Sequence, residues 1–202
     1  MSEPDTAGAT EPSEQRSARG GRRSRARTPG SELPPDEARR KAKEICFDLL
    51  AARPRTNEEL RSALARKGFD PDVIGELLRK LDDAGLIDDA AFAETWVRSR
   101  HNNQGLAKRA LVAELRRKGV DGDVAAEAAG EIDASAEEDR ARELVRKKLR
   151  TMTGVDEQKA TRRLLGMLAR KGYPQGLSYA VVRDELRSAG AESTPLDDAT
   201  AD

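Results

Sequence analysis

The sequence predicts an all-α fold: three tandem three-helix repeats in an elongated, curved array. Three observations carry that expectation. Apolar residues recur at helical spacing through most of residues 36–189, and Val-Ile-Thr alternation over a strand's length is absent. A Lys-Gly turn occurs three times, at Lys67-Gly68, Lys118-Gly119 and Lys171-Gly172, with spacings of 51 and 53 residues. The same apolar positions then stand around each turn. Eight residues before the glycine are Leu60, Leu111 and Leu164, and four before it are Leu64, Leu115 and Leu168. Nine after it are Leu77, Ala128 and Val181, and 23 before it are Ile45, Trp96 and Leu149. A unit of this size buries its apolar face only by stacking on a neighbour, the physics of a repeat array. The units are 36–85, 86–134 and 135–189.

Residues 1–35 hold six Arg against five acids and almost no large apolar side chain, so a disordered Arg-rich tail is expected there. The acid-free stretch Arg16 to Arg27 reads as a solvated tail, with contact to phosphates as the alternative. From Asp36 one stripe of Ala42, Ile45, Cys46, Leu49 and Leu50 forms a helix that Arg53-Pro54 ends. Thr56 with Glu59 reads as a capping box for the second helix. Asp70-Pro71 starts the third helix, which stops at Gly85. Asp88-Asp89 caps the next helix, with Phe92, Ala93, Trp96 and Val97 on one face and Arg98 and Arg100 on the other. A turn at Asn102-Asn103-Gln104-Gly105 leads to a helix from Leu106 to Lys118, then a weak, Ala-rich helix from Val124 to Ile132. The third unit carries Ala141, Leu144, Val145 and Leu149, then Leu164, Leu165 and Leu168, then Ala180, Val181, Val182 and Leu186. Residues 190–202, with four acids and no base, read as a frayed acidic tail.

Composition narrows the function classes. The chain of 202 residues is 37% apolar and 37% charged, against about 25% charged in ordinary domains, which favours helices with large wet faces. Cys46 and His101 are single, so they are read as structural, with no disulfide framework and no metal cluster. No apolar run reaches the roughly 18 residues of a membrane span, so a cytoplasmic, membrane-free protein is expected. No nucleophile, paired carboxylates or phosphate loop appears; Asp82-Asp83 and Asp88-Asp89 are caps and surface, and neither catalysis nor a cofactor is expected. Net charge is zero overall, yet residues 36–189 hold 31 bases and 28 acids.

What stands out is basic surface. Arg66-Lys67, Lys108-Arg109, Arg116-Arg117-Lys118, Arg146-Lys147-Lys148, Arg162-Arg163 and Arg170-Lys171 recur along the repeats. The glycines of the Lys-Gly turns are read as helix C-caps, with phosphate binding as the alternative. The cations form either a stripe that tracks a phosphate backbone or acidic groove, or faces paired with acids such as Glu114 with Lys118 and Glu143 with Lys147.

The pattern Gly85-Leu86-Ile87-Asp88-Asp89, Phe92-Ala93, Trp96-Val97 and Arg100 resembles the signature of the RecX family, bacterial regulators of the RecA recombinase. So do Gly105, Leu111, Glu114-Leu115 and Lys118-Gly119-Val120, Arg163 with Leu168 and Arg170-Lys171-Gly172-Tyr173, and the early Thr56, Glu59-Leu60, Leu64 and Lys67-Gly68. The chain departs from the family pattern at Ala107-Lys108, where many relatives carry Gly-Pro. The resemblance implies a curved all-helical array that binds RecA, monomer or filament on single-stranded DNA, and inhibits its ATPase and strand exchange. Weak single- or double-stranded DNA binding is a further expectation, with a monomeric state from the polar faces. The rival is a helix-turn-helix DNA-binding protein acting without RecA.

Overall fold

The computed structural model describes residues 30–192, which form nine α-helices and no strand. The expected Arg-rich tail lies outside the described residues up to position 29, and the acidic tail does so from 193. The first unit holds α1 (Pro35–Ala52), α2 (Asn57–Arg66) and α3 (Pro71–Asp83). The second holds α4 (Asp89–Gln104), α5 (Lys108–Arg117) and α6 (Gly122–Gly130), and the third holds α7 (Ala134–Leu149), α8 (Glu157–Arg170) and α9 (Gln175–Glu192).

Local chemistry sets most of the helix ends. The Asp70 and Asp88 side chains accept from the N–H groups of Asp72 and Ala91 at 2.8 Å each, and Gly85 turns the chain with φ of 65°. Only half of the expected capping box exists. Thr56 Oγ1 accepts from the Glu59 N–H at 3.1 Å, but the Glu59 carboxylate turns away to Lys118 Nζ at 2.7 Å and an Arg53 guanidinium nitrogen at 3.2 Å. Asn102, Asn103 and Gln104, expected in a turn, are the last residues of α4, which ends at Gly105 with φ of 63°. The sixth helix starts two residues earlier than the apolar pattern suggests, because Asp121 accepts from the N–H groups of Asp123 and Val124.

Each unit has an apolar core, the first of which also takes in Ile87 and the third Ala107, both from the middle unit. Leu60 and Leu64 anchor the first, Leu111 and Leu115 the second, and Leu164 and Leu168 the third, all fully buried. Burying one such side chain is worth about 1.5–3 kcal/mol. The middle helix of each unit ends in the same way. The residue after each glycine, Phe69, Val120 or Tyr173, donates its N–H back to Leu64, Leu115 or Leu168, the bond that closes a left-handed helix cap.

The Lys-Gly turns also join the units. Thr56 Oγ1 donates to the Lys118 carbonyl at 2.6 Å, and the Ala107 N–H donates to the Lys171 carbonyl at 2.9 Å. Beside these bonds, the N–H of Asn57 reaches Asp89 Oδ1 at 3.0 Å and that of Lys108 reaches Glu137 Oε1 at 2.9 Å. The departure at Lys108 therefore has a structural use, since a proline there would have no N–H to give Glu137. The Lys67 carbonyl accepts from the Gly30 N–H at 3.1 Å, so the segment before α1 takes the place that a preceding unit holds elsewhere. Leu33 in that segment packs on the first core, and the chain is therefore already engaged before the expected boundary at 35.

Tyr173 belongs to the second of these junctions. Its hydroxyl donates to the Gly105 carbonyl at 3.1 Å, and burial, then the nearby Glu137 charge, pushes the phenol up to about 12 from an ordinary 10.0. The unfolded chain loses this proton first, so the stability it supports is complete below about pH 10 and lost as pH rises to about 12. A shift of this size corresponds to about 2–3 kcal/mol. Urea midpoints taken from pH 8 upward should therefore fall more steeply above pH 10 in the native protein than in Tyr173→Phe. Equal slopes would contradict the assignment.

Candidate interaction surface

The fourteen cations singled out in the sequence separate into three groups in space. Arg109, Arg117 and Arg170 line an open groove of about 800 Å³ between α5, α8 and the start of α9, together with Tyr173 and Tyr179. Arg117 also borders the cleft at the first junction, which Arg66 and Lys118 line with Arg55, Glu58 and Glu59. Arg66, Lys118, Arg117, Arg109 and Arg170 thus border two successive clefts that share Arg117. Arg146, Lys147, Lys148 and Lys171 line a different cleft, formed by the end of α4 with α7 and α8, where Arg140 and Arg150 join them. Lys67, Lys108, Arg116, Arg162 and Arg163 line none of these; all but the half-buried Lys108 are exposed.

Three of the fourteen are occupied by the fold. Lys118 pairs with Glu59 and lies 4.2 Å from the Trp96 ring centre, while Arg100 lies over the same ring, also at 4.2 Å. Burial works to raise the Glu59 carboxyl, but Lys118 and Arg53 outweigh it and hold the group below the usual carboxylate range. Arg146 makes two bonds to the buried Glu185, at 2.7 and 2.9 Å. Lys171 donates to the Gln104 carbonyl; burial and then the neighbouring Arg140 charge lower its pKa. For the other eleven, no acid lies within ion-pair distance among the described residues. The pairs Glu114 with Lys118 and Glu143 with Lys147, one of the two alternatives for these cations, do not form. Glu114 instead accepts from Trp96 Nε1 at 3.0 Å and approaches Arg100 at 3.5 Å, and Glu143 pairs with Arg140.

Several participants were not legible beforehand. Arg100, expected on the far side of its helix, stacks on Trp96 four residues earlier, a spacing that could have signalled the contact. Arg140, Glu59 and Tyr179 had no such local signal. Cys46 is buried with its thiol pushed up to about 11 by burial, and His101 Nδ1 sits 2.9 Å from the Leu106 carbonyl. Both are packed into the fold. Among the described residues no group of three or more His, Cys, Asp or Glu is placed to hold a metal ion, and no helix is long and apolar enough to cross a membrane.

Comparison with known proteins follows the same three-part division. Models of the RecX first, second and third three-helix domains match residues 42–81, 88–128 and 136–182. The chain belongs to the RecX family. It is 67% identical over 174 residues to the Regulatory protein RecX of Amycolatopsis mediterranei, covering 86% of this chain and 99% of that protein. With the Regulatory protein RecX of Thermobifida fusca it shares 44% identity over 164 residues, or 81% and 89% of the two chains. The crystal structure of RecX from Lactobacillus salivarius superposes with a TM-score of 0.69 at 20% identity, covering 75% of this chain and 99% of the other. A second crystal structure of a regulatory protein RecX gives 0.67 at 23% identity over 74% and 73%. At those identities the structures speak to the fold, whereas the sequence relatives speak to membership. The RecX family models end at 182, before the last ten residues of α9.

Proposed function

We propose that this RecX-family chain is a regulatory protein that binds RecA, as monomer or as filament on single-stranded DNA. In doing so it inhibits ATP hydrolysis, recombination and strand exchange and so modulates DNA repair and the SOS response. It acts as a cytoplasmic monomer and as a ligand of RecA, with no covalent step of its own. The observation that carries this reading is the set of cations, with no acid partner among the described residues, that the repeats present along their clefts, in a chain whose relatives are regulatory proteins. Such a surface suits an acidic protein groove or a bound strand, and occupying it sterically blocks the cycling that hydrolysis requires.

The test is single-stranded-DNA-dependent ATP hydrolysis by RecA from the same cell, titrated with this protein. Inhibition is expected well below the concentration at which the protein binds DNA alone. Lys147→Glu with Lys148→Glu reverses two exposed charges that make no ion pair among the described residues, and should raise the half-inhibitory concentration by about tenfold. Native protein that fails to inhibit, or a doubly reversed variant of full potency and unchanged circular dichroism, would sink the reading.

A further inference from the structure

We propose that the groove between α5, α8 and α9 is a binding site for single-stranded nucleic acid, with a base stacked on Tyr179 and phosphates held by Arg109, Arg117 and Arg170. This deepens the RecA-regulator reading by giving one of its clefts a ligand that the chain binds directly, without RecA.

Three features of the groove favour that ligand. The first is charge. Its three guanidinium groups have no acid partner among the described residues, and its one lining carboxylate, Glu114, is committed to Trp96 and Arg100. The second is the ring. Tyr179 is 54% exposed in a chain with only 3% aromatic residues, while the other tyrosine, Tyr173, is buried and hydrogen-bonded. An aromatic face beside cations is how proteins hold unpaired bases, whatever their sequence. The third is shape. Ala110, Ala113, Gly166 and Ala169 line the groove with small side chains, leaving room for bulky bases. Arg109 and Arg117 stand eight residues apart on one helix, about 12 Å along its axis. That separation lets them hold different phosphates of one strand, and Arg117 opens onto the neighbouring cleft with Arg66.

A duplex would not use the ring, because its bases are already stacked inside the helix. An acidic protein surface would use the arginines and leave Tyr179 idle. The ring therefore decides between the ligands.

The experiment measures fluorescence anisotropy of a labelled oligothymidylate with the full-length protein, RecA absent, over a range of salt. Tyr179→Ala is expected to weaken binding roughly fivefold to a hundredfold, and Tyr179→Phe to restore it. Changing Arg109, Arg117 and Arg170 together to Gln should reduce the slope of log affinity against log salt by about 2. Removing three exposed charges elsewhere, by Arg40→Gln, Lys43→Gln and Arg79→Gln, should leave that slope unchanged. Binding of a duplex should not respond to Tyr179→Ala. The proposal is overturned if the native protein does not bind the strand, if Tyr179→Ala binds as tightly as native, or if the remote charges matter as much as those of the groove. All substituted side chains are exposed, and circular dichroism of each variant checks that it is folded before binding is compared. Since RecA takes no part, a negative result here leaves the ATPase titration to judge RecA regulation separately.

Discussion

Gly119→Ala is expected to destabilise the protein by about 2–5 kcal/mol, whereas Gly85→Ala should cost only about 1–2 kcal/mol. Both glycines sit in the left-handed region, with φ of 83° and 65°, so both substitutions carry the backbone penalty of a side chain there. The difference is what surrounds them. A Cβ on Gly119 would lie 2.1 Å from Glu58 Cβ, an atom too close to its own backbone to swing aside, while a Cβ on Gly85 meets nothing within 4 Å. Relieving the clash at 119 means moving the start of α2 away from the turn that holds it, which also strains the Thr56 bond to Lys118. Urea denaturation of the two variants checks this directly. Equal losses would mean that the turn only ends a helix and does not clamp two units together.

The second large effect concerns which unit is damaged. Leu60→Ala and Leu111→Ala remove equivalent, fully buried side chains, and each should cost about 3–5 kcal/mol locally. Their consequences should differ, because an array is stabilised by contacts between neighbours as well as within units. Leu60 sits in the first unit, where only one junction depends on it. Leu111 lies in the middle unit, whose loss removes the partners of both junctions, Lys118 on one side and Ala107 on the other. Hydrogen exchange read helix by helix should show Leu60→Ala loosening mainly α1 to α3. Leu111→Ala should lower protection in all three units. The same pattern from both variants would show that the units do not depend on one another in this way.

Much of the fold was legible because its causes are local. Leu60, Leu111 and Leu164 recur at fixed distances from three glycines, and helical period converts that recurrence into one buried stripe per unit. Asp70 and Asp88 announced helix starts because a short carboxylate can reach only the N–H groups just beyond it. The end of α4 and the start of α6 have local causes too, but Asn102 to Gln104 have the composition of a turn, and the cap at Asp121 precedes a weak apolar pattern.

The candidate surface was harder to read. Composition identified all fourteen cations, but a charge pattern says nothing about which carboxylate lies opposite in the fold. Lys118 looked like a partner for Glu114 four residues away; Glu59, 59 residues away, takes it instead. Glu143 looked available to Lys147, yet the guanidinium of Arg140, from the preceding turn, takes it. Side chains this long choose among every group within reach, and that set exists only once the units are docked.

By itself the sequence determined the all-helical class, the three-part repeat and the glycines that end each middle helix, and it carries the residues by which the chain resembles the RecX family. The first three follow from spacing along one chain, which folding does not alter. Only the tertiary structure decided that the Lys-Gly turns clamp neighbouring units, that Lys118, Arg146 and Lys171 are consumed in holding the fold, and that Tyr179 faces a groove with three arginines that have no acid partner among the described residues. Those outcomes depend on distances between residues far apart in the chain. Packing of the apolar cores sets these distances, and the order of the charges along the sequence does not.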